Sequence, residues 1–227
     1  MRYLFVVAHP DDEVIAAGAT IHSLHRKGNE IYMCVLNSVS DIRCNDSRLM
    51  MEEMEKSHKI VGITDTVSGN FCTLHFNTTP QIELVKFIED AIIKFEPDVV
   101  VTHHPSDLHN DHKQVSEACN VAVRLSQRQI YSIKKIEAYY YMEVLSSTDW
   151  GANTTENTFI PDTYTEIEQE DFEAKINALK VYTEGAVLRP APHPRSEEVL
   201  KSLAIKRGAE IGYKKAEAFK TVFKGGL

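Results

Sequence analysis

The sequence has no long hydrophobic run, no basic excess, no cysteine pairing pattern and no glycine-rich phosphate loop, and each absence removes a class of protein. The apolar stretch near its start, Tyr3 to Ala8, is far too short for a secretory core or a membrane span. With 25 Lys+Arg against 33 Asp+Glu the formal charge is −8, which argues against a nucleic-acid binder with a clustered basic face. The cysteines Cys34, Cys44, Cys72 and Cys119 are scattered without a Cys-x-x-Cys pair. That spacing excludes a structural zinc ribbon and is expected of reduced thiols in a cytoplasmic protein. No repeat, low-complexity tract or linker marks a second domain, so residues 1–227 are taken as one domain with a C-terminal elaboration.

What is present is an alternation. Leu4 to Ala8 is a continuous apolar run, as expected of a strand covered on both faces. Further strands are predicted over Glu30–Leu36, Asp98–Thr102 and Ile136–Val144, and helices over Val14–Lys27, Ser47–Val61, Gln81–Phe95 and Lys113–Leu125. This order predicts right-handed βαβ units in a three-layer, Rossmann-like α/β fold with a mostly parallel sheet. Ser146–Thr163 has the composition of a long loop or short edge strands, and helices follow near Glu170–Tyr182 and Ser196–Ala209. Between these last two, the prolines of Arg189-Pro190-Ala191-Pro192-His193-Pro194-Arg195 predict an extended, non-helical segment.

Open α/β sheets bind ligands beyond the carboxyl ends of their strands. The first such turn here is Ala8-His9-Pro10-Asp11-Asp12-Glu13. It lacks a glycine that would let a pyrophosphate approach, and its three carboxylates would repel one. The acids can be explained as a helix cap. They can also be explained, with His9, as ligands of a divalent metal, one aspartate binding it and its neighbour facing a water. The second such segment, His103-His104-Pro105-Ser106-Asp107-Leu108-His109-Asn110-Asp111-His112, follows the strand Asp98–Thr102. Histidine interleaved with aspartate supplies both a ligand and the carboxylate that orients an imidazole. The isolated His22, His25, His58 and His75 are expected to be structural or surface residues.

Together, His9-Pro10-Asp11-Asp12-Glu13 and Asp107-x-His109-x-Asp111-His112 resemble the paired signatures of the PIG-L/LmbE-type zinc-dependent N-deacetylases. Pro192-His193-Pro194-Arg195-Ser196 and Ala216-Glu217-Ala218-Phe219 are also similar to members of that family. The resemblance implies removal of an acetyl group from an N-acetylglucosamine-type sugar or conjugate. It implies one zinc ion per chain, held by His9, Asp12 and His112, with Asp11 as the general base. His109 would be the protonated partner that stabilises the oxyanion and then protonates the amine, with Asp111 supporting it. It also implies assembly as a trimer or hexamer. Many relatives carry a substrate-contacting arginine twelve residues before the glycine that ends the second helix. That position is Met50 here, leaving Arg48 or Arg43 to substitute. Asp107 stands where some relatives have a tyrosine, and Asn110 replaces a common proline. His193 and Arg195 are read as sugar or phosphate contacts, or else as solvated charges of a surface loop.

Two other readings fit two histidines and a carboxylate: a mononuclear non-haem iron enzyme, and a non-catalytic metal- or sugar-binding module. The first usually sits on a β-rich jelly roll rather than on a parallel sheet. The second gives no reason for Asp11 and His109.

Overall fold

The computed structural model describes residues 1–37, 47–128, 134–151, 158–183 and 187–225. Among them are seven strands: β1 (Arg2–Val7), β2 (Glu30–Val35), β3 (Asp65–Ser68), β4 (Val99–His103), β5 (Ala138–Met142), β6 (Thr163–Glu166) and β7 (Ala216–Lys224). The helices are α1 (Asp12–Arg26), α2 (Ser47–Val61), α3 (Gln81–Phe95), α4 (Asn110–Gln127), α5 (Gln169–Lys180) and α6 (Glu197–Ala209). The strands form one sheet in the order β3-β2-β1-β4-β5-β7-β6. Pairing is parallel from β3 to β5 and antiparallel where β7 meets β5 and β6. This is the expected mostly parallel α/β architecture.

β1 lies at the centre because its residues are apolar on both faces. Phe5 and Val7 pack with α1, α2, α5 and α6 in one core layer, while Leu4, Val6 and Ala8 pack with α3 and α4 in the other. The chain runs outward from β1 to β3 and then returns to place β4 on the opposite side of β1. The carboxyl ends of β1 and β4 therefore form the topological switch point. α2 ends at Gly62, whose φ of +85° suits a residue without Cβ. A Cβ there would also fall 2.3 Å from the ring of His25, which accounts for that isolated histidine as packing.

Helix α1 is broken at Ala17 (φ −137°, ψ 16°). The break frees backbone donors inside the helix, and Glu217 on β7 accepts from Ala19 N at 3.3 Å and Thr20 N at 2.6 Å. Lys175 of α5 completes the arrangement with Nζ 2.6 Å from Glu217 Oε1, both side chains being buried.

Several elements differ from expectation, and β3 was not among the predicted strands. β7 carries Glu217, Lys220 and Lys224 among its apolar residues, and that charge hid it as a strand. α4 begins three residues before the predicted Lys113, so Asp111 and His112 lie in its first turn. The proline-rich segment is non-helical as expected but not extended. It folds as consecutive turns because the carbonyls of Pro190 and His193 accept from His193 N and Ser196 N, and Arg195 O accepts from Arg189 N. Among the described residues no helix is long and apolar enough to cross a membrane.

Candidate metal centre and active site

The two motif turns meet at the switch point. β1 and β4 are tied just beyond their pairing by Ala8 N–H, which donates to His103 Nε2 at 2.9 Å. His103 is fully buried and its ring stacks on His112, with centroids 4.0 Å apart. Burial and the neighbouring His112 push it down to about 3, so it is a neutral imidazole.

None of the three acids of the first turn uses its side chain to cap α1. Asp11 occupies the cap position with its carbonyl, which accepts from Val14 N and Ile15 N, while its carboxylate makes no capping bond. Its φ of 114° is a left-handed conformation that costs a non-glycine residue about 1–3 kcal/mol, a strain typical of functional positions. Asp12 accepts from His9 N at 2.9 Å. Glu13 is buried against His58 Nε2 at 3.0 Å, which makes His58 structural, as His22 is beside Asp171.

Each imidazole has its own carboxylate. His9 Nε2 is 3.1 Å from Asp111 Oδ2 and 3.0 Å from Thr73 Oγ1, so its Nδ1 is left facing Asp12 Oδ2 at 3.4 Å. His112 Nδ1 is 3.1 Å from Asp107 Oδ2, so its Nε2 is left facing Asp12 Oδ1 at 3.3 Å. Asp107 is fully buried and also accepts from Ser147 Oγ, Thr148 Oγ1 and His109 N. Asp111 is likewise buried and accepts from Leu74 N at 2.6 Å. Such outer carboxylates fix the tautomer and direction of metal-binding histidines. Two overlapping groups have ligand atoms within 4.8 Å of one another: His9 with His109 and His112, and Asp12 with His103 and His112. In the second group, His103 Nε2 is already engaged by the Ala8 N–H. His9 Nδ1 and His112 Nε2 each face a different oxygen of Asp12, at 3.4 and 3.3 Å, although these three do not themselves make up either group.

The charges follow this arrangement. Burial would lower His9, but its bonds to Asp111 and Asp12 lift it to about 9; burial would lower His112, but Asp12 and Asp107 lift it to about 10. Burial opposes ionisation of Asp12, yet His112 and His9 hold it well below the carboxylate range. Asp11 is raised well above that range by burial and by the charge of Asp12, against the pull of Arg195 Nη1 at 3.9 Å.

One role taken from the resemblance changes. Asp111 supports His9 with its carboxylate; toward His109 it offers only its backbone N–H, 3.3 Å from Nδ1. Burial and the positive His112 and His9 push His109 down to about 4.

His9, Asp11, Asp12, His109 and His112 line a cavity of about 510 Å³ together with Met50 and Glu53 of α2, Tyr182, Arg189 and Arg195. Arg195 lines this cavity, and Arg189 on the same turn joins it. Arg48 is an exposed residue of α2 outside the cavity lining, Met50 taking that wall, and Arg43 lies outside the described residues. His193 is also outside the lining; its Nδ1 accepts from Arg195 N at 3.0 Å and so shapes the loop that carries Arg195. Asn110 opens α4. Thr73, Glu53, Arg189 and the His112-orienting role of Asp107 escaped sequence reasoning.

Comparisons with known proteins agree with this geometry. Across 183 residues the chain is 28% identical to the uncharacterized deacetylase YaiS of Escherichia coli K12, covering 78% of this chain and 88% of that protein. The fold is similar to N,N'-diacetylchitobiose deacetylase from Pyrococcus horikoshii, with a TM-score of 0.76, 20% identity and coverage of 97% and 83% of the two chains. It is also similar to GalB, the 4-carboxy-2-hydroxymuconate hydratase of Pseudomonas putida KT2440, with a TM-score of 0.75, 18% identity and coverage of 100% and 98%. Residues 4–123, more than half of the 227, match the family described as PIG-L, GlcNAc-PI de-N-acetylase. With both motif turns and the helices between them inside that match, the chain belongs to the PIG-L (GlcNAc-PI de-N-acetylase) family.

Proposed function

We propose that the protein is a zinc-dependent hydrolase that removes the N-acetyl group of an N-acetylglucosamine-type sugar or sugar conjugate. The observation that carries this reading is the convergence of His9 Nδ1 and His112 Nε2 on Asp12, each imidazole backed by its own buried carboxylate. Two nitrogens and one carboxylate fit a catalytic zinc with an open position, and zinc so held supplies Lewis acidity that acidifies water and polarises an amide carbonyl.

The chain's own residues do the rest. Asp11, half-buried and held above the usual carboxylate range by desolvation and the charge of Asp12, takes a proton from the attacking water and carries it to the departing amine. His109 Nδ1 accepts from Asp111 N, so the neutral ring carries its proton on Nε2. That Nε2–H is a donor for the oxygen that gains charge when the carbonyl is attacked. Arg195 steadies Asp11 and, with Arg189, lines the substrate side of the cavity.

The fold also carries a hydratase in GalB, so fold alone does not choose the reaction. Acetate release from a panel of N-acetyl sugars and nucleotide sugars, with metal content measured on the same preparation, tests the proposal. Release by zinc-loaded protein, lost on chelation and restored by zinc, is expected; no release from any of them would overturn it. Light scattering in the same buffers tests assembly as a trimer or hexamer.

A further inference from the structure

Glu53 is a charged residue of the cavity that the proposed chemistry does not use. It projects from α2 one turn after Met50, and both line the cavity. Its side chain is almost wholly buried, at 4% exposure. One oxygen, Oε1, is fully engaged by Thr183, whose backbone N–H donates at 3.0 Å and whose hydroxyl donates over a shorter distance. Among the described residues none donates a hydrogen bond to the other oxygen, Oε2. Among the described residues no Lys, Arg or His pairs with this carboxylate, although Arg189 and Arg195 line the same cavity. Thr183 therefore holds the carboxylate in one orientation while leaving an acceptor uncommitted. That oxygen is not among the fully buried polar atoms left without a partner, so it opens on the cavity, where a ligand can bring the donor.

We propose that Glu53 is a specificity-determining residue whose Oε2 accepts a hydrogen bond from a ring hydroxyl of the substrate. This rests on the sugar-deacetylase reading above. The chemistry selects the donor. The metal-facing end of the cavity takes the acetamide, and the arginine side offers only donors of its own. Of the groups a sugar presents, its hydroxyl hydrogens need an acceptor, and a carboxylate supplies the strongest neutral-to-charged bond available. Met50, beside Glu53 on α2, supplies an apolar surface for a ring face.

The test couples a change in the protein to a change in the ligand. Wild type, Glu53→Gln and Glu53→Ala are assayed on the best N-acetylated sugar and on its analogues deoxygenated at one ring position each. Glu53→Gln is expected to raise KM by about tenfold or more, with kcat changed far less, in line with loss of a hydrogen bond to a charged group. Against one analogue the same substitution costs less than about twofold, which identifies the hydroxyl that Glu53 receives. Equal losses on every analogue, or unchanged KM, would overturn the proposal. So would coupling to none of them, since the donor would then be the amide N–H. A second readout does not depend on turnover: calorimetric binding of the same sugars to zinc-loaded Asp11→Asn, with and without Glu53→Gln. If no acetate is released but binding shows the coupling, the deacetylase reading fails and Glu53 retains its role. If the sugars bind with no coupling, or none binds, the Glu53 proposal fails by itself. Zinc content and melting temperature are followed in every variant, because a purely structural role would move those and leave the coupling absent.

Discussion

Asp107→Asn tests most sharply whether His112 is held as a metal ligand. Asp107 accepts from His112 Nδ1 at 3.1 Å, Ser147 Oγ at 2.9 Å, Thr148 Oγ1 at 2.7 Å and His109 N at 2.8 Å. An amide can replace only one of its oxygens with an acceptor. If its NH₂ faces His109 N, two donors oppose each other in a buried space. If it faces the other three, the hydroxyls can turn, but His112 must then accept at Nδ1. That tautomer places the ring proton on Nε2, the atom that faces Asp12. The first arrangement strands a buried polar group and the second gives up the bond from His112 to a carboxylate, a cost of about 1–3 kcal/mol in either case. For a chain of this size that corresponds to a fall in melting temperature of roughly 2–12 °C. Zinc affinity is expected to fall by about 10- to 100-fold, equivalent to about 1.4–2.7 kcal/mol. Competition with a chromophoric chelator measures the affinity, and thermal melts of zinc-free protein measure the fold. A variant that binds zinc within twofold of wild type would refute the account of how His112 is oriented.

Further expectations concern other parts of the structure. Asp11→Asn should keep its zinc while acetate release falls by about 10²- to 10⁴-fold, the range for loss of a general base; Asp12→Asn and His112→Ala should lose zinc as well, checked by elemental analysis. Glu217→Ala leaves Lys175 buried without its partner and Ala19 and Thr20 N–H without an acceptor, so denaturant melts should show a loss of about 3–5 kcal/mol. Asp171 is buried, and although burial would raise it, Arg26 and His22 hold it below the model-peptide value of 3.8. Its contribution to stability is therefore fully present above the unfolded pKa and is lost as pH falls through the lower folded one. The stability gap between wild type and Asp171→Asn should narrow below about pH 4, and a gap that is constant down to pH 2 would contradict this.

The parallel half of the sheet and the two motif turns were legible because their signals are local. β1 and β4 are unbroken apolar runs, and His9, Asp12 and His112 sit directly after them in sequence. The antiparallel edge was not. β7 reads as charged until Glu217 is seen to be neutralised by Lys175 and by amides of another helix. The division of labour between Asp107 and Asp111 was equally hidden. Both lie within five residues of His112 while His9 is about a hundred residues away, and only the first turn of α4 decides which carboxylate faces which ring. Arg48 failed as a substrate contact for a similar reason: helical phase turns Met50 and Glu53 to the cavity and leaves Arg48 exposed.

The break in α1 has a consequence for how the protein comes into being. The helix that carries Asp12 is completed by Glu217, 198 residues later than Ala19. On the ribosome the metal motif emerges first, yet the donors freed at Ala17 stay unanswered until β7 has been made. Contacts of such separation close late and slowly. Maturation of the proposed zinc site is therefore tied to β7, and a nascent chain halted before that strand would carry every proposed metal ligand without the completed helix that holds one of them in place.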